Sequence, residues 1–183
     1  MIVLEGPDGA GKTTLLENII KVWHGLPPNN YDVQVIHSPG PLEKGLYEWS
    51  MKTLKQVKPV CILDRFPYFS EQVYGPALRP RACMTILEFQ ALKERLTKIS
   101  PLIIYCRPPM AVLQVARRVR DQMPGVLDHY EEIVDAYDRA YASWIKDFRI
   151  LTFDHTRGDE AYKMVRYAIE TYILEEQRGS LML

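Results

Sequence analysis

The sequence predicts an α/β domain built on a five-stranded parallel sheet with helices on both faces. Five short runs rich in β-branched residues are apolar nearly throughout rather than at alternate positions, as strands are when both sheet faces are covered. Between them, apolar residues recur at three- and four-residue steps, the spacing of one helix face. Strand and helix alternate along the whole chain, the signature of parallel crossover units. A length of 183 residues suits one domain spanning 1–183.

Ile2 to Leu4 is the first expected strand and leads into a helix from Thr13 to Trp23. Leu26-Pro-Pro-Asn-Asn30 has loop composition. Val33 to Ile36 is the second strand, Leu42 to Val57 a helix, and Val60 to Leu63 the third strand. Ala82 to Ile99 places Ile86, Phe89, Leu92 and Leu96 on one helix face, and Ser100-Pro101 stops it. The fourth strand is Leu102 to Tyr105. Pro108-Pro109 opens a helix to Arg120 that repeats Val112, Val115 and Val119. Asp128 to Asp147 carries Tyr130, Ile133, Tyr137, Ala140, Tyr141 and Trp144 at helical spacing, a stripe for core packing rather than base stacking. Ile150 to Phe153 is the last strand. Glu160 to Glu176 is the closing helix, with Met164, Val165, Ala168, Ile169, Tyr172 and Ile173 on its apolar side, and Arg178 to Leu183 a loose tail.

Apolar residues at 47% and charged residues at 25% exclude a disordered chain, a collagen-like repeat and a disulfide scaffold. Lys and Arg (23) balance Asp and Glu (23), which removes global attraction to nucleic acid, so any basic site must be local. Cys61, Cys83 and Cys106 are an odd number without metal-ligand spacing, and read as reduced thiols. No apolar run nears the roughly 18 residues of a membrane span, and the N-terminus lacks a basic signal-peptide region. A soluble cytoplasmic protein is expected.

Gly6-Pro-Asp8-Gly9-Ala10-Gly11-Lys12-Thr13-Thr14 fits G-x-x-x-x-G-K-[ST] and lies between an apolar strand and a helix, as phosphate binding requires. The glycines let the backbone wrap closely around a phosphate, with N–H groups pointing inward. The helix N-terminus adds partial positive charge. Lys12 would reach the β- and γ-phosphates of ATP, and the Thr13 hydroxyl would ligate Mg²⁺. The fold expectation sharpens to a three-layer P-loop NTPase.

Val60-Cys-Ile-Leu-Asp64-Arg65 is an apolar strand ending in an acid. Carboxyl ends of parallel strands share one edge, so Asp64 is expected beside the phosphate loop, as a Mg²⁺ ligand or as a base toward the acceptor. Arg65 would point at an anionic acceptor or at the transferring phosphoryl group.

The phosphate loop followed by Leu63-Asp-Arg-Phe-Pro-Tyr-Phe-Ser70-Glu-Gln-Val-Tyr74-Gly75 resembles the thymidylate kinases and related deoxynucleoside monophosphate kinases, viral members included. That resemblance implies ATP- and Mg²⁺-dependent phosphoryl transfer to a deoxyribonucleotide, dTMP or a related pyrimidine monophosphate. It implies that Asp8 contacts the acceptor's 3′-hydroxyl, that Arg65 holds the acceptor phosphate, and that Ser70 and Tyr74 line the acceptor pocket. Tyr74 would screen against a 2′-hydroxyl, or be a core tyrosine with a satisfied O–H. Homodimers occur among these kinases, and a viral member would work in the host cytoplasm.

Departures fall on the acceptor side. His37-Ser-Pro-Gly-Pro41 stands where these kinases carry Arg-Glu-Pro-Gly-Gly, and puts His37 near the acceptor. A short stretch with Tyr47, Glu48, Trp49 and Lys52 replaces a Phe-rich helix, and the spacer before Ser70 is one residue longer. Other acceptors therefore stay open: a hydroxymethylated pyrimidine (5-hydroxymethyluracil) in DNA, or a deoxynucleoside. So does a P-loop switch with water as sole acceptor.

Arg117-Arg118-Val-Arg120 ends a helix before Asp121-Gln-Met-Pro-Gly125. Arg117 and Arg120 share a face and suit a lid, about residues 107–128, that offsets phosphate charge in transfer. A solvated basic face is the plainer reading of the same residues. His24, His37, His129 and His155 share no metal spacing, and Thr156-Arg157-Gly158 is either an adenine edge or a turn.

Overall fold

The computed structural model describes residues 1–25, 32–39, 45–58, 60–117 and 124–180, with 176–180 described by backbone alone. In chain order the elements are β1 (Ile2–Glu5), α1 (Lys12–His24), β2 (Gln34–His37), α2 (Leu46–Gln56), β3 (Cys61–Asp64), α3 (Pro67–Leu78), α4 (Ile86–Ile99), β4 (Leu102–Cys106), α5 (Met110–Ala116), α6 (Tyr130–Trp144), β5 (Arg149–Phe153) and α7 (Asp159–Ser180). A short 3₁₀ turn, His155–Arg157, joins β5 to α7.

All five strands are parallel, in the order β2-β3-β1-β4-β5. β1 and β4 are buried along their whole length, which is why they read as unbroken apolar runs. The edge strands β2 and β5 carry the polar residues Gln34, His37, Arg149 and Thr152 and are only partly buried. The chain builds β2 and β3 on one side of β1, then β4 and β5 on the other. The crevice at that reversal, outside the carboxyl ends, is where ligands bind in open α/β sheets. Leu4 pairs with Asp64, Glu5 with Tyr105 and His37 with Asp64, so the ends of four strands are brought level beside residues 6–11.

α3 was not anticipated from the sequence. Pro67 occupies its first turn and Pro76 lies inside it, and Tyr68, Phe69, Ser70, Val73, Tyr74 and Gly75 are all buried. A helix buried on most sides has no amphipathic rhythm to read. Phe69 meets Trp144 edge-on, centroids 5.0 Å apart, and this contact seats α3 on α6.

Several boundaries and faces also differ. α4 begins at Ile86 rather than Ala82 because Thr85 and Glu88 form a reciprocal capping box. Its buried side is Leu92 and Leu96, whereas Ile86 is 78% exposed. α2 starts after Gly45, which has φ 82°. In α5 the buried residue is Leu113 and Val115 is exposed; Arg118, Val119 and Arg120 lie outside the described residues, as do Leu26-Pro-Pro-Asn-Asn30 and Gly40-Pro41. α6 is shorter than expected at both ends. α7 continues to Ser180, so Arg178–Ser180 belong to a helix and not to a tail; Met164 is 41% exposed while Val165, Ile169 and Tyr172 are buried. Cys61 and Cys106 are buried and Cys83 is half-buried. Among the described residues no helix is long and apolar enough to cross a membrane.

Candidate active site

The phosphate loop leaves β1 through Gly6 (φ 140°) and enters α1 through Gly11 (φ 85°). At Gly6 a Cβ would sit 2.3 Å from the carbonyl oxygen of Cys106 at the end of β4. The loop therefore depends on a bare α-carbon here, in backbone that side-chain-bearing residues rarely adopt. Gly6→Ala is expected to destabilise the fold by about 3 kcal/mol or more, seen as a lower midpoint in urea denaturation. The first turn of α1 carries no acid and its N-cap has no side-chain bond, so the amides that open the helix remain available to an anion.

Lys12 is buried, and its Nζ donates to the carbonyls of Gly6 (2.9 Å) and Pro7 (2.8 Å). Burial, reinforced by Arg65, lowers its pKa to about 8, against the pull of Asp8, Cys106 and Asp64. Thr13 and Thr14 are exposed at the start of α1. A cavity of about 650 Å³ opens over this loop, and Lys12, Thr13, Asp64, Arg65 and His37 are among its lining residues.

Arg65 has φ 66°, left-handed backbone in a residue that bears a side chain, at a cost of about 1–2 kcal/mol. Its Nη2 donates to Asp8 Oδ1 at 2.6 Å, and its guanidinium lies 4.8 Å from the Tyr74 ring centroid. The Tyr74 hydroxyl donates to Asp8 Oδ2 at 3.0 Å. Asp8, Arg65 and Tyr74 thus form one cluster that ties the phosphate loop to α3. Burial opposes the charge on Arg65, but Tyr137, Tyr74, Asp8 and Glu5 hold its pKa well above the ordinary value. Ser70 does not join this cluster: it is buried, and its Oγ bonds the Phe66 carbonyl at 3.3 Å. Asp64 is met instead by His37, Nδ1 to Oδ2 at 3.0 Å.

Three residues of the site escaped the sequence reading. Glu5 closes β1 and is fully buried; its Oε1 accepts from the Phe66 amide (2.8 Å) and its Oε2 from the Tyr137 hydroxyl (3.2 Å). A charged residue ending an otherwise apolar strand was the available signal. Tyr130 belongs to the core stripe, yet its hydroxyl donates to the Asp8 carbonyl at 2.6 Å and its ring lies 5.2 Å from the Arg117 guanidinium. His155 lines the cavity beside Gly11, whereas Thr156 is bonded to Asp154 and Arg157 to Glu160. Arg107, where the expected lid begins, is held by Asp138 through two bonds of 2.9 and 2.8 Å.

Burial pushes the Glu5 pKa up from 4.5 to about 7, against the opposing pull of Arg65, the Phe66 amide, Lys12 and Tyr137. Between those two values the folded state holds a proton that the unfolded chain has released, so stability falls as pH rises across this interval. Glu5→Gln removes the dependence. It is expected to match the wild type near pH 4.5 and to exceed it by about 2 kcal/mol at pH 8, measured by urea denaturation at both pH values.

Among the described residues, no group of three or more His, Cys, Asp or Glu side chains converges as a metal cage. Mg²⁺ seldom needs one, because it takes one or two protein oxygens with phosphate oxygens and water. The Asp64 carboxylate and Thr13 hydroxyl, both hard oxygen donors on the cavity wall, fit that requirement.

A five-stranded parallel sheet with a phosphate loop leaving its central strand defines a P-loop α/β fold. Solved structures share it. The chain is similar to the YorR protein of Bacillus subtilis in complex with phosphorylated GDP, at TM-score 0.70 and 18% identity, covering 97% of each chain. It is also similar to deoxyadenosine kinase from M. mycoides. With bound dCTP that structure gives TM-score 0.55 and 18% identity over 93% of this chain and 100% of that one. With the products dCMP and dCDP it gives TM-score 0.54 and 18% identity over 95% and 98%. No protein-family model matches the chain, and no curated protein matches it in sequence.

Proposed function

We propose that the chain is an ATP-dependent kinase whose acceptor is a deoxyribonucleotide, dTMP or a related pyrimidine deoxynucleoside monophosphate. One observation carries this: the phosphate loop, Lys12, Thr13, Asp64 and Arg65 line a single cavity, with Asp8 joining donor loop and acceptor cluster. The fold shared with a deoxynucleoside-handling kinase supports it.

In this reading the loop amides and the α1 N-terminus hold the triphosphate, and Lys12 exchanges its two carbonyl partners for β- and γ-phosphate oxygens. Asp8 accepts the acceptor's 3′-hydroxyl, and Arg65 turns its remaining donors to the acceptor phosphate. Thr13 and Asp64 would hold Mg²⁺, which when bound supplies charge neutralisation at the phosphates. Of the arginines assigned to the lid helix, Arg117 is the described one, its guanidinium over the Tyr130 ring, where it would offset phosphate charge. Positioning and charge stabilisation account for most of the rate.

The His37–Asp64 pair favours a second reading. A phosphate monoester is already a nucleophilic anion, whereas an alcohol must lose its proton, and an imidazole oriented by a carboxylate is a fitting base for that. The alcohol would be a deoxynucleoside 5′-hydroxyl or a 5-hydroxymethyluracil in DNA. ADP release measured with deoxynucleoside monophosphates, deoxynucleosides and oligonucleotides bearing 5-hydroxymethyluracil decides between these acceptors. Turnover of dTMP is expected. Turnover of alcohols alone moves the assignment to the second reading, and ATP hydrolysis that no acceptor stimulates removes both.

A further inference from the structure

We propose that Glu5 is the positioning residue of the acceptor side: its carboxylate bridges the Phe66 amide and the Tyr137 hydroxyl, and so holds Arg65 against Asp8 and Tyr74. The inference rests on the acceptor site proposed above. Glu5 has no exposed surface, and an acid is kept in such a place only where donors meet both of its oxygens. Here they do, at 2.8 Å from Phe66 and 3.2 Å from Tyr137.

Geometry gives the bridge its consequence. Phe66 N–H belongs to the peptide that follows left-handed Arg65, and Arg65's own amide donates to the Leu4 carbonyl at 3.0 Å. Both peptides flanking the strained residue are therefore tied to the last two residues of β1. The direction in which the Arg65 side chain leaves the backbone is fixed by that turn. The second carboxylate oxygen reaches the other half of the cluster, since the Tyr137 ring meets the Tyr74 ring edge-on at 5.8 Å. Tyr74 and Arg65 then both end on Asp8. One buried acid links β1, the β3–α3 turn and α6 to the residue that faces the acceptor.

Glu5→Gln keeps an acceptor for the amide and a partner for the hydroxyl, Glu5→Ala removes both, and Tyr137→Phe removes one. With ATP and dTMP, the KM for dTMP is expected to rise about thirtyfold in Glu5→Ala and about threefold in the other two, with the KM for ATP unchanged within about twofold. Exchange of the Phe66 amide in D₂O is expected to speed up about tenfold or more in Glu5→Ala and to stay within about threefold of wild type in Glu5→Gln. Equal rises in both KM values, a Gln variant as impaired as Ala, or a Phe66 amide unprotected in the wild type would overturn the proposal. If Glu5→Ala does not fold, Tyr137→Phe carries the comparison: a selective rise in the dTMP KM supports the bridge, and no change overturns it. A wild type that turns over no acceptor removes the proposed function, and the exchange measurement then decides the Glu5 bridge by itself.

Discussion

Lys12→Met is expected to lower kcat/KM for phosphoryl transfer about 10³-fold, with the urea midpoint close to that of the wild type. Methionine fills the same buried channel without the cation. Two effects oppose each other in the fold. Removing the ammonium leaves the Gly6 and Pro7 carbonyls without their donor, at about 1–3 kcal/mol. The same change relieves the desolvation that depresses the Lys12 pKa to about 8, a gain of similar size. As a lysine whose folded pKa is lowered, it weakens the fold most below about pH 8, and this penalty fades as pH rises toward 10.5. The variant should therefore match the wild type at neutral pH and fall below it near pH 10. A fold crippled by Lys12→Met at pH 7 would mean that the lysine is a structural pin rather than a phosphate ligand.

The same opposition of charge and burial explains which parts of the site were legible in the sequence. Gly6 to Thr14 is contiguous, and each residue type answers to a local need: bare α-carbons for tight backbone, a cation, a hydroxyl. Nothing distant has to be known to read it. The apolar strands were legible for a similar reason, since burial on both faces leaves a continuous run in β1, β3 and β4. Strand order was not, because adjacent strands in sequence need not be adjacent in the sheet, and β3 intervenes between β2 and β1.

Glu5 and Tyr130 show a different limit. Each sits in a segment whose pattern says core, and each is core; the function of the buried acid and the buried hydroxyl depends on partners 61 and 122 positions away. Periodicity marks which face of a helix turns inward but not what waits there. Ile86 illustrates the converse, a residue with the right spacing that lies in the first turn beyond the reach of the core. α3 lacked any rhythm at all, and its Gly75-Pro76 weighs against a helix that burial against its neighbours nonetheless supports.

Asp64→Asn is expected to lower kcat by about 10²–10³-fold while leaving the KM for ATP within a few-fold, and its response to magnesium separates the two roles open to this residue. Asp64 ends β3 level with Leu4 and His37, and its side chain is about one-fifth exposed. Asparagine keeps the shape and an acceptor for the His37 ring, so the fold should change by less than about 1 kcal/mol. What disappears is a full negative charge beside the phosphate loop. If that charge holds Mg²⁺, raising the magnesium concentration about tenfold should recover part of the lost rate, and His37→Gln should be mild by comparison. If the charge instead orients His37 as a base, magnesium should recover nothing. His37→Gln should then be as slow as Asp64→Asn, and the double variant no slower than either, because residues that act as one unit are lost once.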